Sequence, residues 1–276
     1  MSEVLTLDDL TPYLLLKNGN FLYKVPFRGG WAVLKVYYDS RGWFARLRKS
    51  FGNVVLHGQT SYMPQGRRQV ELDCINLWKA HGFRVFEVFE DIEVRAPTCV
   101  PGGYTLMEYV QAPKLVDLLG DDSRPFEERA ALYRRFLKEW SRRHDLAIAE
   151  SEPRLVHENG DVRHVMAMPD GAFLWFDFEM VYRKRSRVAD FISREIVQYL
   201  WEMNKMLPAD LAARFLDETV AHYPSRDRLH SAWRYWLKHP NPLRRFVRWL
   251  DRVLKPRSRK PTSKYNVARR LREKLG

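Results

Sequence analysis

The chain has 276 residues, 45% of them hydrophobic and 13% aromatic, with a formal net charge of +13. That much apolar side chain can bury a sizeable core in one large domain or in two lobes, so wholesale disorder is excluded. Two cysteines, Cys74 and Cys99, are too few for a disulfide framework and lack the neighbouring ligands of a zinc site, which points to a reducing compartment.

The charge is localised. From Pro242 to Gly276 there are 13 Lys or Arg against 2 acidic residues. The remaining body is close to neutral, which argues against a nucleic-acid groove across it. Glu3, Asp8 and Asp9 stand where a secretory leader would be basic and then apolar, and no run of about 18 apolar residues reads as a membrane span. The expectation is a cytoplasmic protein, soluble or peripheral to a membrane.

In chain order, Tyr13–Lys17 and Phe21–Pro26 flank the turn signal Asn18-Gly19-Asn20, and Trp31–Tyr38 follows Arg28-Gly29-Gly30, which predicts a three-stranded meander. Val70, Leu72, Ile75, Leu77 and Trp78 predict a helix over Arg67–His81, stopped by Gly82. Two further strands are expected at Val85–Glu90 and Tyr104–Val110. The chain then changes character at Gln111-Ala112-Pro113.

Beyond that point Asp122, Ser123 and Pro125 open a long helix to about Ile148, and Ala189–Asn204, Ala209–His222, Arg226–His239 and Leu243–Leu254 also read as helical. Between the first two lies a β-like island, Leu155–Val181, with the turn Met168-Pro169-Asp170-Gly171. The expected division is a β-rich lobe (1–110), a helical lobe (111–241) and a basic tail (242–276).

Three stretches could carry chemistry. Ala32-Val33-Leu34-Lys35-Val36 sets a lysine inside an apolar strand, where it either points to solvent from an edge or needs a buried partner. Leu106-Met107-Glu108-Tyr109-Val110 is an apolar strand ending at an acidic residue. The third runs Leu155-Val156-His157-Glu158-Asn159-Gly160-Asp161-Val162-Arg163-His164-Val165-Met166 and, after the turn, Leu174-Trp175-Phe176-Asp177-Phe178-Glu179.

A small β-lobe with one helix, a connector and a helical lobe interrupted by a hairpin resembles the protein-kinase-like fold. The third stretch is similar to the H-G-D-x-x-x-x-N loop and the D-F-E or D-F-G triple of sugar and antibiotic kinases. Of these the chain most resembles the bacterial lipopolysaccharide-core (Kdo/heptose) kinases, over roughly Phe21 to Leu200. The resemblance implies an α+β, two-lobed fold with a small antiparallel N-lobe and a larger, mainly helical C-lobe.

It also implies roles. Lys35 would pair with Glu71 and grip the phosphates of ATP, the strand at Glu108 and Val110 would hold the adenine through its backbone, and Asp177 and His164 would hold magnesium. In this register His157 falls on the motif's histidine, Asn159 on its catalytic aspartate and His164 on its asparagine. A histidine stands at that last place in the heptose kinases too. An amide accepts no proton, so Asp161 is the alternative base, or else a turn partner of Gly160. Asp190 would brace the loop or cap a helix. His81 and His144 are expected at the surface or in packing.

In the tail, Arg244, Arg245, Arg248 and Arg252 recur beside Phe246, Val247, Trp249, Leu250 and Val253, giving an amphipathic helix. Lys255–Lys264 reads as extended and Val267–Leu275 as a second short helix. The tail is either a solvated face or a contact for an anionic surface. The expected function is an ATP- and magnesium-dependent kinase acting on a sugar hydroxyl of the lipopolysaccharide core at the inner face of the cytoplasmic membrane. The alternatives are a pseudoenzyme without a base, and a cytoplasmic protein or small-molecule kinase.

Overall fold

The computed structural model describes residues 3–17, 19–37 and 64–276. Asn18 of the first turn and Tyr38 at the end of the third expected strand lie outside them. The chain divides into two compact units, Met1–Ala112 with Leu174–Arg183, and Pro113–Phe173 with Lys184–Gly276. The α+β class is as expected, with a small antiparallel sheet in the first unit and mainly helices in the second.

In the first unit, Glu3–Thr6 (β1) is followed by Leu14–Lys17 (β2), Phe21–Phe27 (β3) and Gly30–Val36 (β4). Arg28 and Gly29 both have positive φ (47° and 74°), the two-residue hairpin geometry that follows the right-handed twist of β3 and β4. Pro26 is tolerated in β3 because β2 pairs only with its first residues, Phe21–Tyr23, so no ladder bond is missed there.

Pro64–Ala80 (α1) follows and ends at Gly82, whose φ of 72° lets Phe83 N–H reach back to the Trp78 carbonyl. Arg84–Val85 (β5), Ile92–Arg95 (β6) and Tyr104–Glu108 (β7) complete the unit's strands before the chain leaves it. The main sheet has the order β2-β3-β4-β7, and β1 and β6 form a separate parallel pair. Val25, Ala32, Leu34, Leu106, Ile92 and Val94 fill one core. A second cluster forms around Trp78 of α1, whose ring lies 5.6 Å from Phe83, 5.7 Å from Trp175 and 4.6 Å from Phe178.

The expected strand Val85–Glu90 is mostly irregular. Glu87 N–H donates to the Glu108 carboxylate and Phe89 N–H to the Leu106 carbonyl, so the backbone is satisfied without a regular ladder. Sequence periodicity did not reveal β1 and β6, which are four residues each.

The second unit opens with Leu115–Gly120 (α2), a six-residue helix also not anticipated, and Phe126–Ala149 (α3). Val165–Ala167 (β8) and Phe173–Trp175 (β9) flank the Pro-Asp-Gly turn, where Gly171 has φ 89°, and within β9 the chain passes at Leu174 into the segment that belongs to the first unit. Then come Val188–Met206 (α4), Ala209–His222 (α5), Arg226–Leu237 (α6), Pro242–Leu254 (α7) and Lys264–Leu275 (α8). Tyr133, Phe136 and Trp140 of α3 pack with Phe215 of α5 and Tyr199 of α4.

The tail differs from its expected form. Lys255–Lys264 contains a 3-10 turn at Pro256–Arg259, and α8 buries Tyr265, Val267, Ala268, Leu271 and Leu275 within the second unit, so this last helix contributes to its core, whereas α7 has no buried residue. No helix among the described residues is long and apolar enough to cross a membrane.

Candidate functional site

Strand alternation places Ala32, Leu34 and Val36 in the main core and leaves Lys35 on the opposite face, where Trp31 is exposed and Val33 half-buried but Lys35 is only 7% exposed. A buried ammonium needs partners, and here it has two carboxylates. Lys35 Nζ lies 2.9 and 2.7 Å from the two oxygens of Glu71 and 2.7 Å from Glu179 Oε1. Burial pushes the lysine pKa down, but Glu179 and Glu71 outweigh it and hold the pKa well above the usual lysine range, so Lys35 is charged.

Each carboxylate has further donors. The Tyr37 hydroxyl donates to Glu71 and stands 3.2 Å from the Thr105 hydroxyl; Thr105 itself faces Lys35 in the β4–β7 register. Glu179 accepts from Arg67 Nη1 at 2.9 Å and from the Asn20 side-chain amide. Arg67 and Glu71 stand one helical turn apart on α1, which is why one face of that helix supplies both a cation and an anion to the cluster.

The segment carrying Asp177 and Glu179 is fixed by Phe178, which is 2% exposed against Trp78. Asp177 beside it has φ 74°, a left-handed conformation that is uncommon for a residue with a side chain and that clusters at functional positions. Its charge acts on Lys35.

The second unit holds the loop His157–His164. Glu195 of α4, fully buried, accepts from His157 N–H at 3.1 Å, from the Trp140 indole at 3.0 Å and from Arg143, and lies 3.3 Å from His144 Nε2. Burial works upward on its carboxyl, yet Arg143 and His144 bring the pKa down to about 2. The His157 ring meets the Tyr199 hydroxyl at 3.0 Å. A Cβ on Gly160 would sit 2.6 Å from the Tyr199 ring, so the loop can pass α4 only with glycine there.

Asp161 is buried and caps the short turn Val162–His164. Its oxygens accept from Arg163 N–H at 2.8 Å and from the Arg163 guanidinium at 2.9 and 2.5 Å. Burial raises its pKa, but the Arg163 hydrogen bonds prevail and the net shift is downward. Asn159 is exposed, and its carbonyl lies 3.2 Å from His164 Nδ1.

The structure therefore brings Lys35 and Glu71 together with Asp177 in one unit, and Asn159, Asp161 and His164 in one loop of the other. Glu108 has its carboxylate engaged by Arg84 Nη2 at 2.7 Å and Glu87 N–H at 2.8 Å, and Val110, half-buried, follows the end of β7. Asp190 is neither the helix cap, which is Arg187, nor a brace for the loop; its carboxylate holds Arg187 and Arg244 at 3.3 and 3.2 Å. Glu195, five residues on, braces the loop instead.

Sequence reasoning missed Glu195, Glu179 and Arg67. Glu179 was visible as the last residue of the D-F-E triple, and Arg67 by its one-turn spacing from Glu71. Nothing in sequence marked Glu195, whose donors come from α3 and the loop.

Among the described residues no group of three or more His, Cys, Asp or Glu is placed to hold a metal ion on its own. Magnesium takes oxygen ligands and is commonly held by one or two carboxylates together with substrate phosphates, which suits the Asp177 carboxylate and suits the His164 imidazole poorly.

No family model matches the chain, and no curated protein matches it. Among solved structures it is similar to the Rio2 kinase of Chaetomium thermophilum in an ADP/Mg2+–phosphoaspartate complex. The identity is 13% and the TM-score 0.42, over 95% of this chain and 69% of that one. A likeness at that level carries no weight for the site, which stands on its own residues.

Proposed function

We propose that the chain is an ATP-dependent phosphotransferase of the protein-kinase-like kind. The observation that supports this reading best is the buried Lys35–Glu71 pair, with Asp177 in a left-handed conformation in the same unit. Lys35 would hold the phosphates of the nucleotide, and Glu71 would aim and neutralise the lysine between turnovers. The backbone near Glu108 and Val110 would meet the adenine. Asp177 would hold magnesium, which when bound supplies neutralisation of phosphate charge. His164 would support the loop from its contact with Asn159.

The acceptor in this reading is a sugar hydroxyl of the lipopolysaccharide core, presented at the inner face of the cytoplasmic membrane. Asn159 would position that hydroxyl, which a loose transition state tolerates because it relies on placement and electrostatics more than on a strong base. Asp161 carries the loop's carboxylate, and its hydrogen bonds to Arg163 favour a role in holding the loop over one in removing a proton.

A second reading is a nucleotide-binding module without turnover. It is favoured by Asn159 at the place of the base and by Glu179, which engages the same ammonium that phosphates would need.

Calorimetry of ATP with magnesium on the wild type, Lys35→Ala and Asp177→Ala, followed by ADP release on adding lipopolysaccharide core, tests both. Binding that needs both residues, with ADP release, upholds the first reading. Binding without release upholds the second, and absence of binding defeats both.

A further inference from the structure

We propose that α7 docks the protein onto an anionic lipid surface through its apolar face. This deepens the reading above by naming the surface that would carry the chain to a membrane-borne acceptor.

Leu243, Phe246, Val247, Trp249 and Leu254 are 70%, 54%, 55%, 49% and 69% exposed. At 100° per residue they fall on one side of the helix, and Phe246 stacks on Trp249 with ring centroids 5.8 Å apart. A helix on a soluble protein ordinarily turns such a stripe inward. Here the arginines turn inward instead. Arg248 lies 4.0 Å from the Tyr235 ring and 5.3 Å from Trp236, Arg252 lies 5.6 Å from Tyr265, and Arg244 pairs with Asp190 at 3.2 Å. The aromatic rings of α6 and α8 thus take the cationic side of α7, and its apolar side is left facing outward.

Charge selects the occupant. Arg245, Lys255 and Lys260 are exposed along this segment. Of its two acids, Asp251 is bound by Tyr265, Ser258 and Lys255, and Glu273 lies on α8. A second copy of the chain would bring the same positive charge to the contact. The complement to an apolar stripe with a basic surround is apolar and negative at once, which is the headgroup and acyl boundary of an anionic leaflet. Trp, Phe and Leu on one face of a helix lying in that plane are the usual means of anchoring there, and flanking Lys and Arg add attraction that salt weakens.

The test is co-sedimentation of the full chain with vesicles of phosphatidylglycerol and phosphatidylcholine, or of phosphatidylcholine alone. The wild type is expected to bind the anionic vesicles and to release as salt rises. The Phe246→Glu/Trp249→Glu variant is expected to lose roughly tenfold or more in partitioning, and Leu243→Ser/Leu254→Ser likewise, with helical circular dichroism retained. Arg245→Glu should lose severalfold.

A wild type that stays in solution overturns the proposal. So does binding that both double variants retain, or equal, salt-insensitive binding to phosphatidylcholine. A concentration-dependent dimer abolished by the same variants, in place of lipid binding, would make this face a self-interface and overturn it too. Lys35→Ala is expected to keep vesicle binding, so failure of the phosphotransfer reading and failure of docking are read separately.

Discussion

Each unit buries a charge cluster, and the two are built on opposite plans. In the first unit one lysine is shared by two carboxylates, Glu71 and Glu179, with Arg67 balancing the second. In the second, one carboxylate, Glu195, is shared by several donors: Arg143, Trp140, His144 and the backbone of His157. A carboxylate whose acceptor sites are filled by its own unit is a structural fixture. An ammonium with two anionic partners, one on a helix and one on a loop, can exchange one of them for another anion, and that is what a phosphate site requires.

The sharpest way to break this comparison is Glu195→Ala. It strands a buried arginine, an indole N–H and the loop's backbone, and should cost about 3–5 kcal/mol in urea unfolding. A cost below 1 kcal/mol would mean that Glu195 is no fixture.

Acid should reach the same cluster. With a folded pKa of about 2 against an ordinary 4.5, Glu195 contributes stability present above pH 4.5 and lost as pH falls towards 2, on the order of 3 kcal/mol. His144, buried and shifted down from 6.5, is favoured neutral in the folded state, so its contribution is full above 6.5 and fades as pH falls below it. Denaturant titrations across pH 7 to 2 should therefore show loss of stability in the wild type that His144→Phe blunts at its upper end and Glu195→Gln at its lower end.

Gly160→Ala should cost about 1–3 kcal/mol, because Tyr199 must move from its place between the loop and α3. Lys35→Ala strands the buried carboxylates of Glu71 and Glu179 and should itself cost about 3–5 kcal/mol of stability; in samples shown to be folded by circular dichroism it should also lower ATP affinity at least about tenfold by calorimetry, close to 1.4 kcal/mol. The smallest expected effect is the most discriminating. If Glu179 competes with phosphate for Lys35, Glu179→Gln should raise ATP affinity by a few-fold; if it only scaffolds, affinity should fall.

Much of this was legible in the chain itself. The meander followed from alternation and from Arg28-Gly29, α1 from its periodicity and Gly82, and the long helices from their apolar stripes. The short pair β1 and β6 was not legible, because four residues carry too little periodicity and their pairing is parallel across most of the unit. Lys35 in an apolar strand announced a need for partners, but naming Glu71 took the resemblance to kinase motifs, and although Glu179 stood in the D-F-E triple, its pairing with Lys35 emerged only from the structure. For α7 the amphipathicity was legible and the orientation was not, since the rings that receive its arginines, Tyr235, Trp236 and Tyr265, belong to other helices.

Trp140 offers an optical consequence. Among 9 tryptophans it is held on all sides, with its indole N–H on Glu195 and its ring 4.9 Å from Tyr199 and 5.6 Å from Tyr223. An indole locked among other rings gives strong near-ultraviolet circular dichroism, and that signal fades when packing loosens while helices persist. Comparing Trp140→Phe with the wild type would isolate this band. Its amplitude would then report the brace beneath the His157–His164 loop directly, in solution and without any ligand.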